Sequence, residues 1–197
     1  MYKVNSASDI SEFKKRYEEI SGLEIPESFL IDSKIYAFQK DNEIVGGFIL
    51  SSKRPLRTLS LFTKNEKLRS NINSKSKSSI VEICCFWIDR RHRKNKLFTI
   101  LVWLKMALTV SQQKEKIVLY GTNSKGLAKM YGYPKGSILI SQELIKQNNN
   151  YIFLAKRRNF LNGVIQIIIA KVRGKTITPK IINHKILEKS IYHELSI

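Results

Sequence analysis

Val81-Glu82-Ile83-Cys84-Cys85-Phe86-Trp87-Ile88-Asp89 runs directly into Arg90-Arg91-His92-Arg93-Lys94-Asn95-Lys96 and then into Leu97-Phe98-Thr99-Ile100-Leu101-Val102-Trp103-Leu104. An apolar strand-like run, a basic turn and an apolar helix-like run thus follow one another without a break. This order places the turn's backbone N–H groups at a helix N-terminus, where anions bind. A phosphate-bearing ligand is the expectation.

With 197 residues, 43% of them hydrophobic, the chain can bury one substantial core. Its 35 Lys and Arg against 16 Asp and Glu leave a net charge of +19. Such an excess points to a densely negative partner: nucleic acid, an anionic membrane surface, a phosphorylated cofactor or an acidic carrier protein. Cys84 and Cys85 are the only cysteines and are adjacent. They form no ordinary bridge and supply no metal-ligand spacing, so no metal is expected and a reducing cytoplasm fits best. No apolar leader precedes the polar stretch from Asn5 to Glu19, and the longest apolar run, Leu97 to Val110, contains Lys105 and falls short of the ~20 residues of a membrane span. A cytoplasmic protein without a transmembrane segment is expected.

Outward from the central block, Tyr2-Lys3-Val4 reads as a strand, and Ser6 to Asp9 offer caps to a helix carrying Ile10, Phe13, Tyr17 and Ile20 before Gly22. Residues 34–39 and 43–50 read as strands joined by a hairpin at Asp41-Asn42. Leu59 to Phe62 is expected to continue the sheet, and Lys64 to Ser79 to form a mobile polar loop. A strand at 116–120, a helix from Ser124 to Met130, and an antiparallel pair, 137–144 with 151–156 across a turn at 147–150, complete the pattern. Residues 160–172 are ambiguous between helix and strand. The order predicts a mixed α/β (α+β) fold with one parallel crossover at its centre.

This element order resembles the GNAT superfamily of N-acetyl- and N-acyltransferases over residues 2–156. The resemblance rests on Val4 to Ile10 as an opening strand-to-helix turn, on Glu43 to Phe48 as the third strand, and on the block from Glu82 to Leu101. It implies a mostly antiparallel sheet with a splayed parallel strand pair, flanking helices, and a domain of residues 1–158 with a C-terminal extension, 159–197, packed on it. It implies a phosphopantetheine thioester, acyl-CoA or acyl carrier protein (acyl-ACP), lying between strands 81–88 and 116–120. In the family's phosphate-binding signature, Arg93 takes the first position, while Lys96 and Phe98 stand where small residues belong. Glycine there admits close approach to a diphosphate. Its loss implies either a degenerate site or a donor with one phosphate, as in an acidic acyl carrier protein held by the basic turn.

The resemblance further implies donor contacts at Phe86, Trp87, Ile88, Arg93, Lys94, Asn95, Lys96, Leu97, Phe98 and Asn123. It implies Glu82 as the base for the attacking amine, its pKa raised by partial burial. The competing reading of Glu82 is a structural pair with a lysine. The general acid maps ambiguously: the usual tyrosine falls at Leu127 or Met130, with Tyr131 adjacent. Cys84 and Cys85 read as core, and His92, His184 and His193 as surface. Arg54 and Arg57 read either as a docking face or as solvated charges. The expected function is transfer of an acyl group to a primary amine of a peptide, amino acid or other small amine. Two alternatives accompany it. One is a nucleic-acid-associated protein of the same fold, acting on tRNA or a ribosomal protein or inactive; the other is a membrane-touching segment at 160–173.

Overall fold

The computed structural model describes residues 1–74, 79–145 and 147–175. Seven strands form one sheet in the order β1-β2-β3-β4-β5-β7-β6. They are β1 (Tyr2–Lys3), β2 (Lys34–Lys40), β3 (Glu43–Ser51), β4 (Ile80–Ile88), β5 (Ile117–Thr122), β6 (Ser137–Ile145) and β7 (Asn148–Lys156). Every neighbouring pair is antiparallel except β4 and β5. The β2–β3 hairpin turns at Asp41 and Asn42, both at positive φ (50° and 61°), as a tight two-residue turn requires.

Two helical layers cover the sheet. On one face, α1 (Ala7–Ser21) and α2 (Glu27–Ile31) bury Phe13, Tyr17, Phe29 and Leu30 against Ile35, Ile44, Ile49 and Trp87. Ser6 caps α1 by accepting from Asp9 N–H, and Gly22 ends it in the left-handed region. The same layer continues with α3 (Arg57–Phe62) and α4 (Glu66–Asn73), whose Leu59 and Ile72 pack on Ile80, Leu119, Ile152 and Leu154. The opposite face carries α6 (Lys96–Ser111), α7 (Lys125–Tyr131) and α8 (Arg157–Val172), with the single turn α5 (Arg90–Arg93) leading into α6. Here Val102, Met106, Val110, Phe160 and Val164 meet Phe48, Val81, Ile83 and Val118. Each such fully buried side chain contributes about 1.5–3 kcal/mol.

Three expectations are corrected. Leu59 to Phe62 is a helix, because Leu56 and Leu59 are both fully buried at helical spacing and the first turn has an external cap described below. Residues 66–73 within the expected loop are also a helix: Asn65 accepts from Leu68 N–H, and Leu68 and Ile72, four apart, supply a narrow apolar stripe. The turn expected at 147–150 is tighter, since β7 already begins at Asn148. The ambiguous C-terminal segment is helix α8, and of the expected extension 159–197 the described part is the body of this helix and the residues to Lys175. His184 and His193 lie outside the described residues.

β4 carries the feature that positions the site. Gly47 of β3 stands opposite Trp87 while Ile49 stands opposite Cys84, so Phe48 alone faces both Cys85 and Phe86. Cys85 is the bulged residue, with φ of 52°. Ahead of the bulge Ile80, Glu82 and Cys84 face the α1–α3 layer while Val81 and Ile83 face α6. The extra residue resets the alternation, so Cys84 and Cys85 share a face and Phe86 turns toward α6.

Candidate functional site

β4 and β5 pair over only four residue pairs, from Ile80 with Ile117 to Ile83 with Tyr120. Beyond that point, among the described residues, 84–88 are laddered to β3 alone, and Gly121 and Thr122 to β7 alone. The bulge bends β4 away, and a set of aromatic rings fills the α6 side of the opening. Phe86 meets Trp103 at 5.3 Å between ring centroids, Trp103 meets Tyr131 at 5.8 Å, and Tyr131 stands edge-on to Tyr120 at 5.1 Å. A cavity of about 270 Å³ occupies the gap. On the side under α1 and α3 the wall combines Tyr17, Ser21, Arg57, Thr58, Cys84 and Cys85 with the apolar Ile20, Leu23, Leu61 and Phe62. The other side is apolar and aromatic, formed by Phe86, Met106, Leu127, Tyr131 and Phe160. The cavity therefore passes through the sheet, connecting its two faces.

Two glycines keep the surrounding elements close. A Cβ at Gly121 would lie 2.5 Å from the Phe62 ring and 2.8 Å from Thr58 Cγ2, so α3 rests on bare β5 backbone. At Gly47 a Cβ would lie 2.5 Å from the Phe13 ring, which sets the distance of α1 from the sheet.

Glu82 is fully buried and forms no part of the cavity wall. Its Oε1 accepts from Arg57 N–H at 3.0 Å and its Oε2 from Thr58 N–H at 2.9 Å. Leu56, at the N-cap position of α3, provides no side-chain cap. A strand carboxylate thus caps the helix from outside, where negative charge is also favoured by the helix dipole. Burial pushes the Glu82 carboxyl above the usual carboxylate range, and the bonds to Thr58 and Arg57 partly offset this. Arg57 itself reaches the cavity. Its Nη2 donates to Glu24 O, its guanidinium lies 5.8 Å from the Phe29 ring centroid, and its buried Nε has no hydrogen-bond partner among the described residues. Arg54 is likewise no solvated charge: its Nη1 donates to Ser52 O, while its Nε and Nη2 are buried without partners among the described residues.

Tyr131 lines the apolar end, and burial followed by the neighbouring Tyr120 pushes its phenol well above the usual range. Its hydroxyl stays protonated at neutral pH. Tyr120, by contrast, spends its hydroxyl on Ser137 Oγ at 2.7 Å. Burial pushes the Cys84 thiol up. At Cys85 burial acts in the same direction but is outweighed by the Cys84 hydrogen bond, Arg57 and the Tyr17 hydroxyl, so its thiol lies below the ordinary value.

The residues expected to contact a donor divide into two groups. Phe86 and Asn123 line the cavity, whereas Trp87 is buried on the α1 face against Phe13 and Ile88 is packed under α6. The carbonyl of Ile88 accepts from Arg93 Nε at 2.7 Å. The basic turn is held together by Asp89, whose carboxylate accepts from Arg91 N–H at 2.9 Å and from the Arg91 guanidinium. Hydrogen bonding to Arg91 holds the Asp89 carboxyl down at about 2. Arg91 also pairs with Glu43 at 3.1 Å, so it is committed within the fold. Asn95 caps α6 by accepting from Phe98 N–H at 3.0 Å. Phe98 packs against His92 at 5.6 Å between ring centroids. Lys94, Lys96 and Leu97 are exposed, and the N–H groups of Lys96 and Leu97 have no hydrogen-bond partner among the described residues.

Solved structures of known proteins share this fold. The chain aligns with the acyl-homoserine lactone synthase LasI over 82% of its own length and 90% of LasI, at 11% identity and a TM-score of 0.63. It aligns with BjaI, a CoA-dependent acyl-homoserine lactone synthase solved with SAM and isopentyl-CoA, over 89% of each chain, at 16% identity and a TM-score of 0.61. FeeM, an N-acyl amino acid synthase from uncultured soil microbes, matches over 83% of this chain and 99% of its own, at 9% identity and a TM-score of 0.58. The fold is GNAT-like. No family profile and no curated relative matches the sequence. Among the described residues no cluster of His, Cys, Asp or Glu is suited to a metal, and no helix is long and apolar enough to cross a membrane.

Two features of the site were hidden in the sequence. The role of Arg57 depends on a helix that Leu59 to Phe62 disguised as a strand, and the capping role of Glu82 depends on the same helix. A signal was available in Leu56 and Leu59, three residues apart.

Proposed function

We propose that this protein is an acyltransferase that moves an acyl group from a phosphopantetheine thioester, acyl-CoA or acyl-ACP, to the primary amine of an acceptor that also carries an anionic group. The observation that carries this reading is the cavity through the splayed sheet, with the charged Arg57 in its wall on the α1–α3 side and aromatic rings on the α6 side. In it two reactants can enter from opposite faces and meet at β4, which turns a bimolecular reaction into a positioned one. Its support from outside the molecule is the shared fold with a CoA-dependent acyl-homoserine lactone synthase solved with SAM and isopentyl-CoA and with an N-acyl amino acid synthase.

The thioester lies along residues 84–88 of β4, whose gap-side backbone has no strand partner. The exposed Arg90, Lys94 and Lys96, with the free N–H groups at the start of α6, attract the donor's phosphate. The acyl group extends among Phe86, Met106, Leu127 and Phe160. The acceptor enters from the α1–α3 side, where the positive charge of Arg57 in the cavity wall attracts its anionic group and the amine faces the carbonyl carbon. Attack forms the C–N bond, and the C–S bond breaks as the pantetheine sulfur leaves. Tyr131, kept protonated by its surroundings, gives the leaving thiolate its proton. Among the described residues no Asp, Glu or His lines the cavity, and on this reading the amine loses its proton to water. Glu82 is a positioning residue that fixes Arg57 and Thr58 through their own backbone.

The test measures thiol release from matched acyl-CoA and acyl-ACP donors with amines that have or lack a carboxylate. The reading expects release with amino carboxylates and a rise of about tenfold or more in acceptor KM, with a smaller change in kcat, for Arg57→Gln. Absence of acceptor-dependent release from either donor class would sink it.

A further inference from the structure

The outer surface of α6 and α8 is unlike the rest of the molecule. Six of the nine large apolar side chains exposed among the described residues lie on these two helices: Leu97, Leu101 and Leu108 on α6, and Ile165, Ile169 and Val172 on α8. They keep helical spacing, so each helix presents a continuous apolar stripe. The buried faces of both helices pack into the same core over the same face of the sheet, so both stripes point the same way, outward. Neither helix carries a single carboxylate. From Arg90 to Lys114 and from Arg157 to Lys175 the sequence holds no Asp or Glu, while exposed Lys96, Lys105, Arg158, Lys171, Arg173 and Lys175 edge the stripes.

We propose that this face is a docking surface for a lipid bilayer rich in anionic lipid, with α6 and α8 lying in the plane of the interface. The charge decides the occupant. A water-facing helix pair in a protein with 16 acidic residues elsewhere would be expected to mix signs, whereas an acid-free basic rim around an aliphatic stripe matches a hydrocarbon boundary beneath anionic headgroups. Long Lys and Arg side chains reach up to the phosphates while their stems lie on the apolar surface. Neither helix is long and apolar enough to span, so the contact is peripheral. The inference stands on the surface alone and does not require the acyltransfer reading.

The test is co-sedimentation of the full chain with vesicles of phosphatidylcholine alone and of phosphatidylcholine mixed with phosphatidylglycerol. Binding is expected only to the mixed vesicles. Leu101→Asp with Ile169→Asp should weaken it at least roughly tenfold, because two inserting aliphatics are replaced by charge. Lys171→Glu with Arg173→Glu should weaken it by a similar factor, at about fivefold per basic residue removed. Leu144→Asp, a change at an exposed leucine on β6, should leave binding intact; all variants alter exposed positions, and circular dichroism checks that they fold. Three results would overturn the proposal. One is equal binding to both vesicle types. Another is binding abolished by about 0.5 M salt and indifferent to the aspartates, which would be adsorption of a basic protein. The third is self-association removed by Leu101→Asp without any vesicle binding, which would give the face to a second copy of the chain.

Discussion

Glu82 separates two accounts of this site, and its replacement gives the most decisive measurement. Truncation to Ala leaves the N–H groups of Arg57 and Thr58 without acceptors at a buried helix start, at about 1–3 kcal/mol each. Removing a carboxyl whose burial already disfavours its charge returns part of that, since desolvation is the largest influence on it. A net loss of about 3 kcal/mol is expected for Glu82→Ala in denaturant unfolding. Glu82→Gln keeps one acceptor and loses the other, so about 1–2 kcal/mol is expected. In kinetics, a positioning role predicts that Glu82→Gln raises acceptor KM through a displaced Arg57 and leaves the pH profile of kcat with its wild-type limbs. A direct base predicts a fall of about 10²-fold or more in kcat and the loss of one limb. Unchanged stability in Glu82→Ala, together with a vanished limb in Glu82→Gln, would refute the capping argument and return the carboxylate to catalysis.

Tyr131→Phe should keep donor binding, because the ring contacts with Trp103, Tyr120 and Phe153 remain, while lowering kcat about 10²-fold; an unchanged kcat assigns thiolate protonation to water. Gly121→Ala should force Phe62 and Thr58 off β5 into the cavity that both line and raise acceptor KM; an unchanged or lowered KM would contradict the close packing. Asp89→Asn should remove stability that the wild type holds above pH ~4 and loses as pH falls through about 2, the sign expected for a carboxyl held below its unfolded value. Because Arg91 is exposed, screening keeps this contribution small, read as a wild-type minus variant difference that closes toward pH 2.

The central βαβ unit was legible because its signals are local: an apolar run, a basic turn and an apolar helix in sequence leave few alternatives. The splay followed from the resemblance, and its physical cause, the bulge at Cys85, did not. Nothing in Cys84-Cys85 announces that one residue will adopt a positive φ, since bulges are set by partner strands. The α3–α4 segment was misread for a related reason. Its helices are short and bury only Leu59, Ile72 and their neighbours, and α3 borrows its cap from a residue 25 positions away. Their stability is tertiary, so a sequence window could not contain it.

On the acyltransfer reading, the turn between β4 and α6 would hold the donor phosphate by exposed charge instead of by a glycine loop. Glycines would let three successive N–H groups approach a diphosphate, but here Asn95 accepts the Phe98 N–H and the Phe98 side chain packs on His92, closing that approach. Among the described residues the Lys96 and Leu97 N–H groups remain without partners, so on that reading phosphate attraction would rest mainly on the exposed Arg90, Lys94 and Lys96. Backbone hydrogen bonds are insensitive to ionic strength, whereas exposed charges act over about a Debye length, ~10 Å at 0.1 M salt. Donor KM should therefore rise steeply with salt, and Arg90→Glu with Lys94→Glu should reproduce the high-salt value at low salt while leaving kcat at saturating donor unchanged. The same change should impair an acidic carrier-protein donor more than the matching acyl-CoA, because the carrier adds its own surface charge. A donor KM indifferent to both salt and charge reversal would mean that phosphate is held elsewhere, and the basic turn would then have no part in donor binding.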